Sequence, residues 1–255
     1  MSGSDSIRVS VCVAAYNGQH YLEEQLSSIL DQLTEDDEIV VVDDHSRDAT
    51  GEVVDSMADP RIRLVHNEQN LGYVRTFERA LTLARGEYLL LSDQDDVWLP
   101  GRVQDMVVAL QESQVVASNF SVFGGTPNRF HQIRLRAADS RRYAANLFFL
   151  WVGIRPYYGC TMGIRRSALD VALPFPGFLT ETHDQWLAMC GNVMHSMRHL
   201  ERDTVSRRLH DSNTTPKRMR SLRKIVAARW MLLRALRVAK NRVRQTSGEV
   251  IGVGS

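Results

Sequence analysis

The stretch EYLLLSDQDDVWLPG, residues 87–101, governs how the whole chain reads. Tyr88 to Leu91 form a short apolar run without polar alternation, the pattern of a strand buried on both faces. The run ends in Asp93, Asp95 and Asp96, three acids within four positions, and Trp98 and Pro100 follow. Carboxylates that close repel one another, so a cation, a set of hydrogen-bond donors or water must hold them. Hard divalent ions such as Mg²⁺ and Mn²⁺ take oxygen ligands and share one or two carboxylates with phosphates. The competing reading is an acidic turn that caps the helix starting near Pro100.

Outward from that stretch, apolar runs and helical patterns alternate. IRVSVCVAAYN (7–17), DEIVVVDD (37–44), RIRLVHN (61–67) and VVASNFSVF (115–123) read as further strands. Between them, residues 21–33, 49–58, 73–86 and 99–113 have helical spacing, with Gly86 placed as a helix C-cap. This pattern predicts an α/β chain with a mostly parallel sheet and helices on both faces. Beyond residue 123, residues 124–143 read as a long loop. NLFFLWVGI and YYGCTMGIRRSALDVAL read as a strand and a helix, HDQWLAMCGNVM as another helix, and residues 197–213 as strand and loop.

In an open parallel sheet, ligands bind beyond the carboxyl ends of the strands. The first four strands end in AAYN, DDHSRD, NEQNLG and SDQDD. Core packing does not call for acids and amides at four successive strand ends, so one rim is expected to hold the chemistry. Asp44 suits a ribose hydroxyl or base edge there, while Asp48 and Thr50 suit the cap of the next helix. No G-x-G-x-x-G follows the first strand, so a dinucleotide fingerprint is missing.

Composition bounds the class. Apolar residues make up 44% and charged residues 24%, as in ordinary globular proteins. The net charge of +1 hides an asymmetry: residues 217–244 carry eleven Lys or Arg and no acid. Cys12, Cys160 and Cys190 are scattered and odd in number, which fits a reducing compartment and no disulfide framework. No basic-then-apolar leader opens the chain, and no run reaches the ~20 apolar residues of a bilayer span. A soluble, cytoplasmic protein is expected.

VSVCVAAYNGQHYLEEQLSSIL, EIVVVDDHSRDAT, HNEQNLGYVRTFERAL and YLLLSDQDDVWLPGRV together resemble, in order and spacing, the family 2 glycosyltransferases. The match covers roughly residues 7–120, and SDQDDVW with HDQW is most similar to bacterial rhamnosyltransferase-type members that build surface polysaccharides. Ala14 and Ala15 stand where family members often carry proline or threonine, so a threonine contact to the base is lost.

The resemblance implies a GT-A fold and an inverting, Mn²⁺- or Mg²⁺-dependent transfer from a nucleoside-diphosphate sugar, dTDP-rhamnose or a UDP-sugar. The acceptor would be a glycan or lipid-linked hydroxyl. Ala14, Tyr16 and Asn17 would line the base pocket, Asp44 would contact base or ribose, and Arg75 would lie near the base or diphosphate. Asp93 and Asp95 would flank the ribose and the metal-bound diphosphate. Asp95, Asp96 and His210 are the metal candidates, the last within an R-x-H-x-x-N segment that includes Asn213. Asp184 would be the catalytic base, with Glu181 as rival and a helix N-cap as its plain structural role. Trp186 is placed either as an acceptor platform or in the core.

Residues 1–215 are expected to form the transferase domain and residues 216–255 a basic amphipathic helix with a flexible tail. Leu222, Ile225, Val226, Trp230, Leu233, Leu236 and Val238 could lie on an anionic membrane at the inner leaflet, or pack on the domain. Nucleic-acid binding is not expected, because no reading module accompanies the charge. The rival functions are a nucleotidyltransferase, which would need a glycine-rich phosphate loop, and a non-catalytic sugar-nucleotide or membrane-binding module.

Overall fold

The computed structural model describes residues 7–126, 132–210 and 222–252. The expected boundary at 215/216, Asn213 and part of the 124–143 loop lie outside them. The first half alternates regularly: β1 (Val9–Ala15), α1 (Leu22–Leu30), β2 (Asp37–Asp43), α2 (Thr50–Ser56), β3 (Ile62–His66), α3 (Tyr73–Leu83) and β4 (Tyr88–Asp93). Then come β5 (Val97–Trp98), α4 (Arg102–Gln111), β6 (Val115–Phe123), α5 (Tyr143–Val152), β7 (Met162–Arg165), α6 (Leu169–Ala172), α7 (His183–Val193), β8 (Met197–Arg208) and α8 (Leu222–Gly252).

These strands form one sheet in the order β3-β2-β1-β4-β7-β6-β8-β5. The β3-β2-β1-β4 half is parallel throughout, and β6 runs parallel to β8. β7 is antiparallel to both β4 and β6, and short β5 is antiparallel to β8. The mostly parallel expectation therefore holds, with β7 inserted against the grain.

Side-chain alternation along β1 divides the core. Val9, Val11 and Val13 pack with Leu22, Leu26, Ile29 and Met106 of α1 and α4. Cys12 on the other face packs with Phe77, Leu150, Trp186 and Leu232 of α3, α5, α7 and α8. The central strands β1, β2 and β4 are thus apolar on both sides, which is why the sequence shows runs rather than alternation.

Two expectations are corrected. NLFFLWVGI belongs to helix α5, while YYGCTMGIRRSALDVAL supplies β7 and short α6, so strand and helix are exchanged. A short apolar run cannot be told from a buried helix segment by periodicity alone. Gly86 is not a C-cap. A Cβ there would lie 2.6 Å from the backbone nitrogen of Ser10, so the glycine permits close approach to β1. On α8, Leu232, Ala235 and Ala239 are buried against the domain and Arg242 donates to the carbonyls of Val171, Ala172 and Pro174, while Val226 and Trp230 of the expected stripe stay exposed.

Candidate active site

The register sets the rim. Ala14 stands beside Asp93 across β1 and β4, and Ala15 beside Asp43 across β1 and β2. Gln94, between the first two acids, clamps the loop after β1. Its Oε1 accepts the Tyr16 N–H at 2.7 Å, and its Nε2 donates to the Tyr16 carbonyl at 3.0 Å. Tyr16 itself is 43% exposed, so its ring is presented to solvent on a fixed backbone. Asn17 turns at φ 50°, donates its N–H to Ser46 Oγ and accepts from the Arg47 N–H, tying the β1 and β2 loops together. Asp48 Oδ1 accepts the Thr50 N–H at the start of α2.

Asp44 is buried and spans three donors: Asn67 Nδ2 (2.6 Å) and the Leu71 N–H (2.8 Å) on Oδ1, and the Gly72 N–H (2.8 Å) on Oδ2. It holds the turn that launches α3. Arg75 departs from the expectation. Its guanidinium donates to Glu78 and to the carbonyls of Phe175 and Pro176, so it fastens α3 to the 173–176 segment instead of offering its donors to a diphosphate.

The acidic turn is answered by β8. Arg208 donates its N–H to Asp96 Oδ1 and its Nε to the Asp95 carbonyl, both at 3.0 Å. His210 Nε2 donates to Asp95 Oδ2 at 2.7 Å while its ring stacks on Tyr21. Arg207 lies between the Phe120 and Tyr158 rings, with its Nε 3.8 Å from Asp96 Oδ2. Beneath the turn, fully buried Arg102 donates to Thr204 Oγ1, the Leu91 carbonyl and the Cys160 carbonyl, joining α4 to both halves of the sheet.

Burial dominates the electrostatics. It raises Asp93 to about 6, with Asp95 adding repulsion, and raises Asp96 to about 7, with Asp93 and Asp95 adding to it. Asp184, in the first turn of α7, is raised to about 6 by burial and by Asp93, while its Gln185 N–H bond and Arg207 pull it back. Burial opposes the Arg207 charge, but Asp96 and Asp93 hold its pKa above the ordinary value. The helix N-cap is Thr182, so Asp184 is free of that duty. Glu181 is exposed and Trp186 is wholly buried, donating Nε1–H to the Ala172 carbonyl. The platform reading of Trp186 is thereby removed.

Donor chemistry tests the fit to a hard divalent ion. Among the described residues, ligand atoms of Asp93, Asp96 and Cys160 lie within 4.8 Å of one another, and Asp96 Oδ2 has no hydrogen-bond partner. The carboxylates suit Mg²⁺ or Mn²⁺. Cys160 does not: burial and the facing carboxylates keep its soft thiol protonated. The expected set of Asp95, Asp96 and His210 is divided, with His210 on Asp95 while Asp96 faces Asp93 and Cys160. Sequence reasoning missed Gln94, Arg102 and Cys160, all of which act across long sequence separations.

Residues 10–172 match the family model for glycosyl transferase family 2. The chain belongs to this family. Relatives include an uncharacterised glycosyltransferase of Haemophilus influenzae, 33% identical over 43% of this chain and 35% of its own. Another is the Escherichia coli UDP-Glc:alpha-D-GlcNAc-diphosphoundecaprenol beta-1,3-glucosyltransferase WfgD, 31% identical over 48% of this chain and 46% of its own. Among solved structures, Staphylococcus aureus TarS in complex with UDP-GlcNAc superposes with a TM-score of 0.69 at 22% identity. That match covers 91% of this chain and 66% of TarS. The family 2 glycosyltransferase fold, GT-A, is thus shared, while these relatives extend beyond the aligned parts.

Proposed function

We propose that this glycosyltransferase-family chain moves a sugar from a pyrimidine nucleoside-diphosphate donor to an acceptor hydroxyl with inversion at the anomeric carbon. What supports this reading is that Asp93 raises and Arg207 lowers the Asp184 carboxyl, which draws the proposed base toward the acidic turn. An aspartate at its ordinary ~3.9 is a weak base, and one held near 6 is far better matched to neutral pH. Asp184 takes the acceptor proton, the freed oxygen attacks the anomeric carbon, and the bond to the diphosphate breaks with its electron pair leaving on the diphosphate. The Tyr16 ring offers a surface for the base, and Asp93 and Asp96 would hold Mn²⁺ or Mg²⁺. When bound, that ion offsets charge on the leaving diphosphate.

For the donor, UDP-sugars are favoured by the UDP-Glc that WfgD is named for and by the UDP-GlcNAc bound to TarS. The rhamnosyltransferase reading with dTDP-rhamnose rests on SDQDDVW and HDQW alone. The acceptor we favour is a lipid-linked glycan at the cytoplasmic face, the class named for WfgD. A thermal-shift panel of UDP-glucose, UDP-GlcNAc and dTDP-rhamnose, each with and without Mn²⁺, tests this. A metal-dependent shift with a pyrimidine donor, followed by turnover that vanishes in Asp184→Asn, is expected. Silence with every donor would reject it.

A further inference from the structure

Exposed large apolar side chains are concentrated on one part of the surface. Six of the eleven among the described residues are Phe148, Trp151, Val152, Ile154, Val226 and Trp230. Phe148, Trp151 and Val152 have i, i+3, i+4 spacing on one face of α5, and Val226 and Trp230 have i, i+4 spacing on α8. The two helices are joined here: Arg229 of α8 donates to the Val152 carbonyl at 2.6 Å. Gly153 suits the junction through its left-handed backbone. It ends α5 at φ 86°, and a Cβ there would meet Arg229 Nη2 at 2.5 Å. The outcome is a composite apolar surface, with Phe148 58% and Trp230 65% exposed.

Around the junction the two helices carry cations without acids, and Asp139, just ahead of α5, is already paired with Arg142 and Arg155. Residues 140–169 and 217–244 contain no Asp or Glu. Arg223, Lys224, Arg234, Arg237 and Lys240 are exposed along α8. Aromatic and aliphatic groups beside basic side chains are what an interfacial surface needs: rings at headgroup depth and cations on lipid phosphates. A second copy of the chain would bring like charges together, which disfavours that occupant.

We infer that the joined ends of α5 and α8 are a docking surface for an anionic lipid bilayer. The packed stripe of Leu232, Ala235 and Ala239 is not the membrane face; the outer face is. Both helices pack on α7, the helix that carries Asp184, so docking would set the orientation of the site relative to the bilayer. The inference stands apart from the transfer reading, because vesicle binding is measured without donor or acceptor.

The experiment is co-sedimentation of the full chain with phosphatidylcholine vesicles, with and without phosphatidylglycerol, at low and high salt. Binding only to the phosphatidylglycerol vesicles, weakening with salt, is expected. It should fall about tenfold or more in Phe148→Ser/Trp230→Ser. Charge reversal in Arg223→Glu/Lys224→Glu/Arg237→Glu should abolish it, with the melting temperature of both variants near that of the parent. No vesicle binding, or binding indifferent to both variants, overturns the inference. So does a dimer in light scattering that Phe148→Ser/Trp230→Ser dissolves, or equally tight binding to a nucleic-acid oligomer that ignores the aromatic pair.

Discussion

Arg207 Nε lies 3.8 Å from Asp96 Oδ2, and the two side chains are only 11% and 3% exposed. No normal hydrogen bond joins them, and both Asp96 Oδ2 and the Arg207 Nε and Nη1 groups lack partners. The guanidinium therefore acts as a buried counter-charge to the whole acidic cluster. Arg207→Leu should cost about 3–5 kcal/mol, because uncompensated carboxylates remain buried. Since Arg207 lowers Asp93, Asp96 and Asp184 alike, the acid limb of the pH–rate profile should also move to higher pH. Urea denaturation and a pH series check the two effects.

Asp184→Asn keeps the shape of the first turn of α7 and removes the base. Turnover should fall by about 10²–10⁴-fold with donor affinity nearly unchanged. In the parent protein, kcat/KM should rise with pH through about 6, because the proton must leave Asp184 before it can accept another. Radiolabelled transfer and calorimetric donor binding separate these quantities.

His183 is stacked on Phe77 in a buried site, and burial lowers it to about 3. The unfolded chain binds the proton from about 6.5 downward, whereas the folded chain resists it. Stability is therefore complete above about 6.5 and declines as pH falls toward 3, by about 1.4 kcal/mol per pH unit for this residue. His199, lowered by burial to about 4, adds to the slope. His183→Phe should flatten the lower part of the curve in denaturation measured from pH 7 to 4.

Gly159 lies against the His183 ring, so near that a Cβ would overlap Nε2. Gly159→Ala should destabilise by about 1–3 kcal/mol and lower turnover, because the ring it displaces adjoins Asp184. Gly177→Ala, where a Cβ meets nothing within 4 Å, is the matched control and should be within about 0.5 kcal/mol of the parent. Thermal melts of the pair decide it.

The parallel half of the sheet was legible because strands covered on both faces are written as uninterrupted apolar runs, and their polar carboxyl ends mark the rim. Asp93 and Asp184 could be named for the same reason, from local pattern and resemblance. Arg75 could not be placed, since its partners at Phe175 and Pro176 lie about a hundred residues away. Cys160 carries no local signal at all: a lone cysteine looks ordinary until the fold brings it against Asp93 and Asp96. The face of α8 was equally hidden, because helical spacing shows a stripe without showing what it meets.

The two-bond pairing of the Gln94 amide with the Tyr16 peptide makes the aromatic lip and the acid-bearing turn one mechanical piece. A nucleoside without any phosphate, settling on that ring, would then steady the oxygens a cation seeks. Free uridine should sharpen Mn²⁺ affinity, and Mn²⁺ should sharpen that of uridine by the same factor. Gln94→Ala should uncouple them while leaving each able to bind alone.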